Sequence, residues 1–103
     1  MQLDEAGFRA LFAGSPVKRL GHARFLRNVL IALGNSGMPQ LGHLAERQIS
    51  NPEPLIRGAA IWAMRRLSDQ QHAEQLKLAF LPAETDMGVR AEWTAEVPAA
   101  LLG

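Results

Sequence analysis

Cysteine is absent from this sequence. The absence excludes disulfide bonds, a thiol nucleophile, cysteine-ligated zinc and iron–sulfur clusters within the chain, so folding must depend on packing alone. Disulfides belong to oxidising compartments, and a chain without cysteine is compatible with a reducing cytoplasm, where we expect this one.

Long apolar runs and strand signals are also missing. Arg, Asn or Gly interrupts every apolar stretch before it reaches membrane-spanning length. The first residues have neither the basic nor the apolar part of a signal peptide, and a predicted helix begins almost at once. Such a start fits a domain cut from a longer protein. We expect residues 1–103 to form one domain, the C-terminal part of that protein.

Net charge is small, at +1, but the charges are distributed unevenly. Between Ala6 and Ala45 no acidic residue occurs, and the basic residues are Arg9, Lys18, Arg19, Arg24 and Arg27. From position 69 onward acidic residues dominate, and these are Asp69, Glu74, Glu84, Asp86, Glu92 and Glu96. Separate blocks of opposite sign in one small domain indicate an electrostatically polarised molecule.

Apolar residues recur at helical spacing through most of the chain, which predicts an all-α fold. The predicted helices run from about Asp4 to Gly14, His22 to Leu33, Pro39 to Ile49, Pro54 to Leu67, Ser68 to Phe80 and Asp86 to Glu96. Ser68, with Gln71 three residues later, matches a capping box at the start of the fifth helix. Short links between six helices indicate three antiparallel pairs.

An internal repeat supports this pairing. An apolar residue followed by Arg recurs near the start of the second helix of each pair, and the three instances are Leu26-Arg27, Ile56-Arg57 and Val89-Arg90. The stretch from Asn51 to Ala60 has the appearance of a HEAT repeat. We therefore expect a HEAT-like α-solenoid of about three helical hairpins.

The segment from Gly14 to Asn28 carries the chemistry most typical of a binding surface. Lys18 and Arg19 precede a helix, and Arg24, Arg27 and Asn28 then follow at i, i+3 and i+4, which places them on one helical face. Free N–H groups and the dipole at a helix start favour an anion, so the pattern indicates a phosphate-binding surface. The alternative is a solvated basic face in which Arg27 bonds to a neighbouring turn.

Other basic residues have a structural interpretation first. Arg57 and Arg90 echo Arg27 and can tie adjacent turns of a solenoid together. Arg65 and Arg66 end the fourth helix, where cations offset the helix dipole. If that helix packs parallel to the second, Arg57, Arg65 and Arg66 could extend the basic ridge.

No catalytic motif is present. The sequence lacks the Gly-Lys-Ser/Thr ending of a P-loop, the HExxH pair of a zinc enzyme and the G-x-S-x-G of a hydrolase. His22, His43 and His72 have no metal-ligand spacing and no evident carboxylate partner. Trp62 and Trp93 are expected in the core, with base stacking as the weaker alternative.

Two motifs together resemble the C-terminal part of epoxyqueuosine reductases. The first joins Gly-Ser-Pro-Val-Lys-Arg, from Gly14 to Arg19, to the run from Arg24 to Gly37. The second is the HEAT-like stretch from Asn51 to Ala63. The resemblance is good from about Leu3 to Leu67 and consists only of general helical pattern beyond that.

This resemblance implies a function in tRNA queuosine synthesis. The family reduces epoxyqueuosine in the tRNA anticodon loop with cobalamin and two 4Fe-4S clusters, held by domains upstream of the part matched here. The chain has none of the cluster cysteines and no room for a cobalamin domain, so we expect no cofactor in it and no catalysis by it alone. In the family this helical tail helps to hold tRNA, and Lys18, Arg19, Arg24 and Arg27 match its basic positions.

The leading hypothesis is therefore a tRNA-binding accessory domain that acts with upstream catalytic and ferredoxin-like domains, away from any membrane. The alternative is a protein-interaction or structural module that docks a catalytic domain through the apolar positions Phe8, Leu11 and Phe12.

Overall fold

The computed structural model describes Gly7 and residues 20–95, with side chains from residue 23 onward. Gly7 is helical. The rest of the predicted first helix, the Lys18-Arg19 pair and the chain beyond Ala95 lie outside the described residues.

The described residues form five α-helices and no strand, which confirms the predicted all-α class. The helices are α1 (Leu20–Gly34), α2 (Gly42–Glu46), α3 (Pro54–Leu67), α4 (Gln70–Phe80) and α5 (Met87–Thr94). Two short 3₁₀ turns, Pro39–Leu41 and Leu81–Ala83, lie before α2 and after α4.

Helix α3 is the centre of the fold, because α1, α2 and α5 all pack against it. Pro54 stands at its first turn, where a missing N–H costs nothing, and the helix runs to Leu67 as predicted. Its apolar spacing buries Ile56, Ala60 and Ile61 completely or nearly so. Burial of this kind contributes about 25 cal/mol per Å² of apolar surface, which is the main stabilisation open to a chain without disulfides.

Helix α2 is shorter than predicted. The sequence indicates helix from Pro39 to Ile49, whereas α2 itself covers only Gly42–Glu46. The backbone tightens on leaving it, since the N–H groups of Gln48 and Ile49 donate to carbonyls three residues back, at 2.9 and 3.3 Å. Such i→i−3 bonds belong to turns rather than to a continuing α-helix.

The start of α4 corrects the predicted capping box. Asp69, not Ser68, is the N-cap, and its Oδ1 accepts a hydrogen bond from the backbone N–H of His72 at 2.8 Å. Ser68 instead ends α3 in an extended conformation, and its N–H donates to the carbonyl of Met64. Asp69 takes the capping position because it lies one residue closer to the helix than Ser68. Its negative charge is also favourable at the positive end of the helix dipole.

The loop after α1 contains a glycine in a conformation that other residues rarely adopt. Gly37 has a φ of +71°, a left-handed conformation that glycine adopts without strain. Gly34 has a different role, because α1 and α3 approach closely there. A Cβ on Gly34 would lie 2.6 Å from Trp62 Cζ3 and 3.0 Å from the Cα of Ala63. The absence of a side chain therefore sets the spacing between the two helices.

The apolar-Arg repeat has a structural counterpart. Leu26, Ile56 and Val89 are all buried, at 3, 3 and 2% exposure. Arg57 Nη1 donates to the carbonyl of Asn51 (3.0 Å), and Arg90 Nη1 donates to the carbonyl of Glu84 (2.8 Å). Both bonds reach six residues back, to the turn that precedes the same helix. Arg57 and Arg90 thus have a structural role, although these bonds lie within one helix and its preceding turn, whereas the sequence predicts ties between adjacent turns of a solenoid.

The turn before α3 and the turn before α5 also repeat a second kind of contact. The side chain of Asn51 accepts from the N–H two residues later, and so does the side chain of Glu84, at 2.8 and 2.9 Å. Two segments separated by 33 residues therefore repeat a side-chain contact as well as an arginine contact.

Candidate nucleic-acid interface

The exposed face of α1 presents Arg24, Arg27 and Asn28, and we call these three residues the basic face. Arg24 and Asn28 are exposed, and Arg27 is half-buried. Arg27 donates from Nε and Nη2 to Asn28 Oδ1, at 3.3 and 3.2 Å. The neighbouring amide thus orients the guanidinium along the helix surface without neutralising it.

Within residues 23–95, neither Arg24 nor Arg27 forms an ion pair. Helix α1 contains no acidic residue, so no carboxylate on its own surface competes for either cation. Lys18 and Arg19, the other predicted members of this surface, lie outside the described residues.

Arg57 is engaged inside the molecule. Its Nε and Nη2 donate to the two carboxylate oxygens of Glu84 at 2.9 and 2.7 Å, and its Nη1 donates to the carbonyls of Asn51 and Pro52. The hydrogen bond to Glu84 raises the pKa of Arg57, and the same bond holds the pKa of Glu84 below its usual value. A guanidinium with these four bonds has little left to offer a phosphate.

Arg65 and Arg66 tie α3 to its neighbours. Arg65 Nη1 donates to the backbone carbonyl of Glu92 in α5. Arg66 Nε donates to the carbonyl of Gly34 at 3.1 Å, and its guanidinium lies 5.0 Å from the ring centroid of Trp62. Both are half-buried, and each satisfies a carbonyl at or near the end of another helix.

One histidine has a carboxylate partner that the sequence did not reveal. His72 Nε2 in α4 lies 2.8 Å from Glu46 Oε1 in α2, which overturns the expectation that no histidine is paired in this way. The hydrogen bond to Glu46 raises the pKa of His72. The two residues are 26 positions apart, so only the packing of α2 near α4 brings them together.

An open groove of about 550 Å³ lies along α3 between α1 and α5, and we call it the interhelix groove. Its surface is mainly apolar and includes Ile31, Leu55, Ala59, Trp62 and Val89. Its charged members are Arg27, Asp86 and Glu92. Partial burial raises the pKa of Glu92, while the positive charge of Arg65 opposes that shift. The sequence gives no sign of this groove, because its walls come from three helices far apart in the chain.

Trp93 and Trp62 confirm the expected core packing. Trp93 is buried at 1% exposure, and Trp62 packs half-buried against the core. Part of Trp62 reaches the interhelix groove, whereas Trp93 does not line it.

The donor set does not fit an iron–sulfur cluster or a metal ion. The sequence contains no cysteine, and residues 23–95 hold no group of three His, Asp or Glu side chains placed to bind a metal. Among the described residues, no helix is both long enough and apolar enough to cross a membrane.

Taken together, the described residues define an all-α domain with one exposed cationic helix face and an apolar groove beside it. Comparison with known proteins gives its relatives. Epoxyqueuosine reductase of Pseudomonas aeruginosa is 41% identical over 65 residues (61% of this chain, 18% of the relative). The Salmonella typhimurium enzyme is 33% identical over 70 residues (68% and 18%), and that of Bacillus subtilis is 36% identical over 70 residues (64% and 17%).

The chain therefore matches a C-terminal domain of the epoxyqueuosine reductase family. The matched part makes up about a fifth of the length of these relatives. No protein-family model matches the chain, and no solved structure matches it.

Proposed function

We propose that this chain is a tRNA-binding accessory domain, which holds the anticodon region of a tRNA while upstream domains reduce epoxyqueuosine. The observation that carries the proposal is the basic face of α1, where Arg24 and Arg27 project without a carboxylate partner among residues 23–95. Similarity to epoxyqueuosine reductases, a tRNA-modification family, supports RNA as the anion that this face binds.

The helices are proposed to form a HEAT-like solenoid, in which α1, α3 and α5 are the second helices of successive hairpins. Support comes from the contacts that Arg57 and Arg90 make in equivalent turns, and from the buried residue that precedes each arginine. Solenoids expose equivalent helices side by side as an extended binding surface. The basic face would then lie at one edge of that surface.

The proposed binding surface consists of Lys18, Arg19, Arg24, Arg27 and Asn28. We leave Arg57 out of it because Glu84 already neutralises its charge. Arg65 and Arg66 keep at most a secondary role, since each donates to a carbonyl within the fold. Contacts of arginine and lysine to phosphate supply affinity and orientation but little base specificity. Selection of one tRNA would therefore rest on other parts of the protein.

The chain is proposed to take no catalytic part itself. Cobalamin and iron–sulfur chemistry would belong to the upstream domains, since no cysteine is available in this chain. Its contribution to the reaction would be to position the substrate, which can lower a barrier substantially when the bound geometry is close to the reactive one.

The salt dependence of RNA binding tests this proposal. If four cations each neutralise one phosphate, the logarithm of the affinity should fall with the logarithm of the salt concentration with a slope of about −3 to −4. Between 50 and 200 mM salt the affinity for an anticodon stem-loop should then fall about a hundredfold. Arg24→Ala should reduce the steepness of that slope by about one unit and leave the fold intact, since Arg24 is exposed.

Lys77→Ala is the matched control, because it removes a cation from α4, where Glu74 lies 3.8 Å from its Nζ. This control should leave both affinity and slope unchanged. Binding without a salt slope, equal losses in the two variants, or no binding even at low salt would contradict an RNA-binding function for the basic face.

A further inference from the structure

The interhelix groove shares Arg27 with the basic face, but most of its surface is apolar. Its volume of about 550 Å³ lies within the range of about 300–1,000 Å³ that is typical of binding pockets. Apolar side chains from three helices form most of its surface, among them Ile31 from α1, Trp62 from α3 and Val89 from α5. Pockets of this volume with a mainly apolar lining are where proteins most often bind ligands.

Small residues form the floor of the groove. Gly58 and Ala59 of α3 lie on it, and Gly88 of α5 lies at its side. A Cβ on Gly58 would only reach ordinary contact with Glu92 Cγ, at 3.7 Å. The side chain of Glu92 therefore lies directly beside Gly58, on the α3 side of the groove.

The charged groups of the groove differ in whether they have a hydrogen-bond partner. Asp86 Oδ1 accepts from the N–H of Val89 as the N-cap of α5, and the guanidinium of Arg27 donates to Asn28. The carboxylate of Glu92 has no hydrogen-bond partner within residues 23–95, although it is half-buried. A partly desolvated carboxylate without a donor is costly, so a ligand that brings a cation gains by pairing with it.

We propose that the interhelix groove binds a protein segment that combines aliphatic or aromatic side chains with one Lys or Arg, and that this cation pairs with Glu92. The apolar floor would receive the segment's apolar side chains. Arg65 acts on Glu92 only through its charge, so the carboxylate of Glu92 keeps room to accept a hydrogen bond from the segment's cation. Phosphates would approach both Asp86 and Glu92, which disfavours RNA in the groove. The groove and the basic face thus serve different partners.

Selection from a phage-displayed library of random dodecapeptides against the 103-residue chain tests the proposal. Enriched peptides should share apolar residues flanking a Lys or Arg. A synthetic copy of one such peptide should shift the backbone NMR signals of residues 31, 58, 59 and 88, and should change the fluorescence of Trp62. Enrichment of acidic peptides, or shifts confined to α4, would overturn the proposal.

Two variants locate the contacts of the synthetic peptide. Ile31→Asp places a charge at the groove edge and should weaken peptide binding about tenfold. Leu78→Asp is its matched control on α4, since Leu78 is 73% exposed outside the groove, and it should have no effect. Equal effects of the two changes would overturn the assignment of the binding site.

A charge exchange tests the role of Glu92. Glu92→Lys should weaken binding of the cationic peptide about tenfold or more, and a peptide whose cation is replaced by Glu should regain at least half of that loss. Glu74→Lys on α4 is the control for net charge. Loss without such a rescue would contradict pairing with Glu92.

An anticodon stem-loop added to the same NMR sample separates the two proposals. We expect the RNA to shift the NMR signals of residues 24–28 while the peptide stays bound in the groove. Stem-loop binding that displaces the peptide from the groove would overturn the protein-segment proposal while leaving RNA binding standing.

Discussion

Arg57 donates hydrogen bonds to both carboxylate oxygens of Glu84, which lies 27 residues further along the chain. The Nε–Oε1 and Nη2–Oε2 distances are 2.9 and 2.7 Å. The pair is well shielded, since the two side chains are 17% and 8% exposed. Its bonds join α3 to the loop before α5. Arg90 also donates to carbonyls of that loop, so a single carboxylate-bearing turn holds α5 in place.

Removal of Arg57 should therefore destabilise the fold. We expect Arg57→Ala to lower the free energy of unfolding by about 2–3 kcal/mol, because it leaves the shielded carboxylate of Glu84 without its guanidinium. Urea unfolding followed by circular dichroism measures the loss. Lys77→Ala breaks an exposed ion pair instead and should cost less than about 0.5 kcal/mol. Similar losses in both variants would contradict a structural role for the Arg57–Glu84 pair.

The Glu46–His72 pair should make stability depend on pH. The raised pKa of His72 means that its stabilising contribution is fully present below the ordinary histidine value of about 6.5. The contribution is lost as pH rises through the pKa of the folded state. NMR titration of the His72 ring should give a pKa above 6.5 in the parent chain and a lower one in Glu46→Gln. An unchanged His72 pKa in that variant would show that Glu46 is not the cause.

Two separate glycine substitutions test the close approach of α1 and α3. Gly34→Ala should destabilise the chain by about 1–3 kcal/mol, because the new methyl group would lie within 3 Å of Trp62. Gly58→Ala is the matched control in the interior of α3, where a Cβ meets only ordinary contacts. That change should be neutral or stabilise by up to about 1 kcal/mol through helix propensity. Thermal unfolding compares the two variants, and only Gly34→Ala should lower the melting temperature.

Two substitutions test whether Asp69, and not Ser68, caps α4. Asp69→Ala should cost about 1 kcal/mol in unfolding free energy, because the N–H of His72 loses its side-chain acceptor. Ser68→Ala should change stability by less than about 0.5 kcal/mol, since its hydroxyl does not cap the helix. The reverse order of losses in chemical denaturation would restore Ser68 as the capping residue.

Sequence patterns located most helices because the signals are local. Pro54 at a first helical turn and the apolar spacing that follows predict α3 to the residue. The error at Asp69 is also local, since two neighbouring residues can both cap a helix and only the backbone conformation decides between them. The shortening of α2 has a similar cause, because 3₁₀ and α-helical turns share the same apolar spacing over so few residues.

Contacts between distant residues were beyond the same patterns. The echo of Arg57 and Arg90 predicted ties between turns, but not that Glu84 would neutralise Arg57. Glu46 and His72 come from helices that the sequence does not place side by side. The interhelix groove has no signature in any one helix, since Ile31, Trp62 and Glu92 share no motif. For the basic face, the i, i+3, i+4 spacing was enough to predict that Arg24, Arg27 and Asn28 lie on one side of the helix.

The most direct test of RNA binding by the basic face is to map an anticodon stem-loop on the chain by NMR at low salt. We expect the largest backbone shifts at residues 24–28 of α1, a return of those signals toward their free positions at 200 mM salt, and no shifts in α4. Shifts centred on α4, or an unchanged spectrum at saturating RNA, would contradict the account.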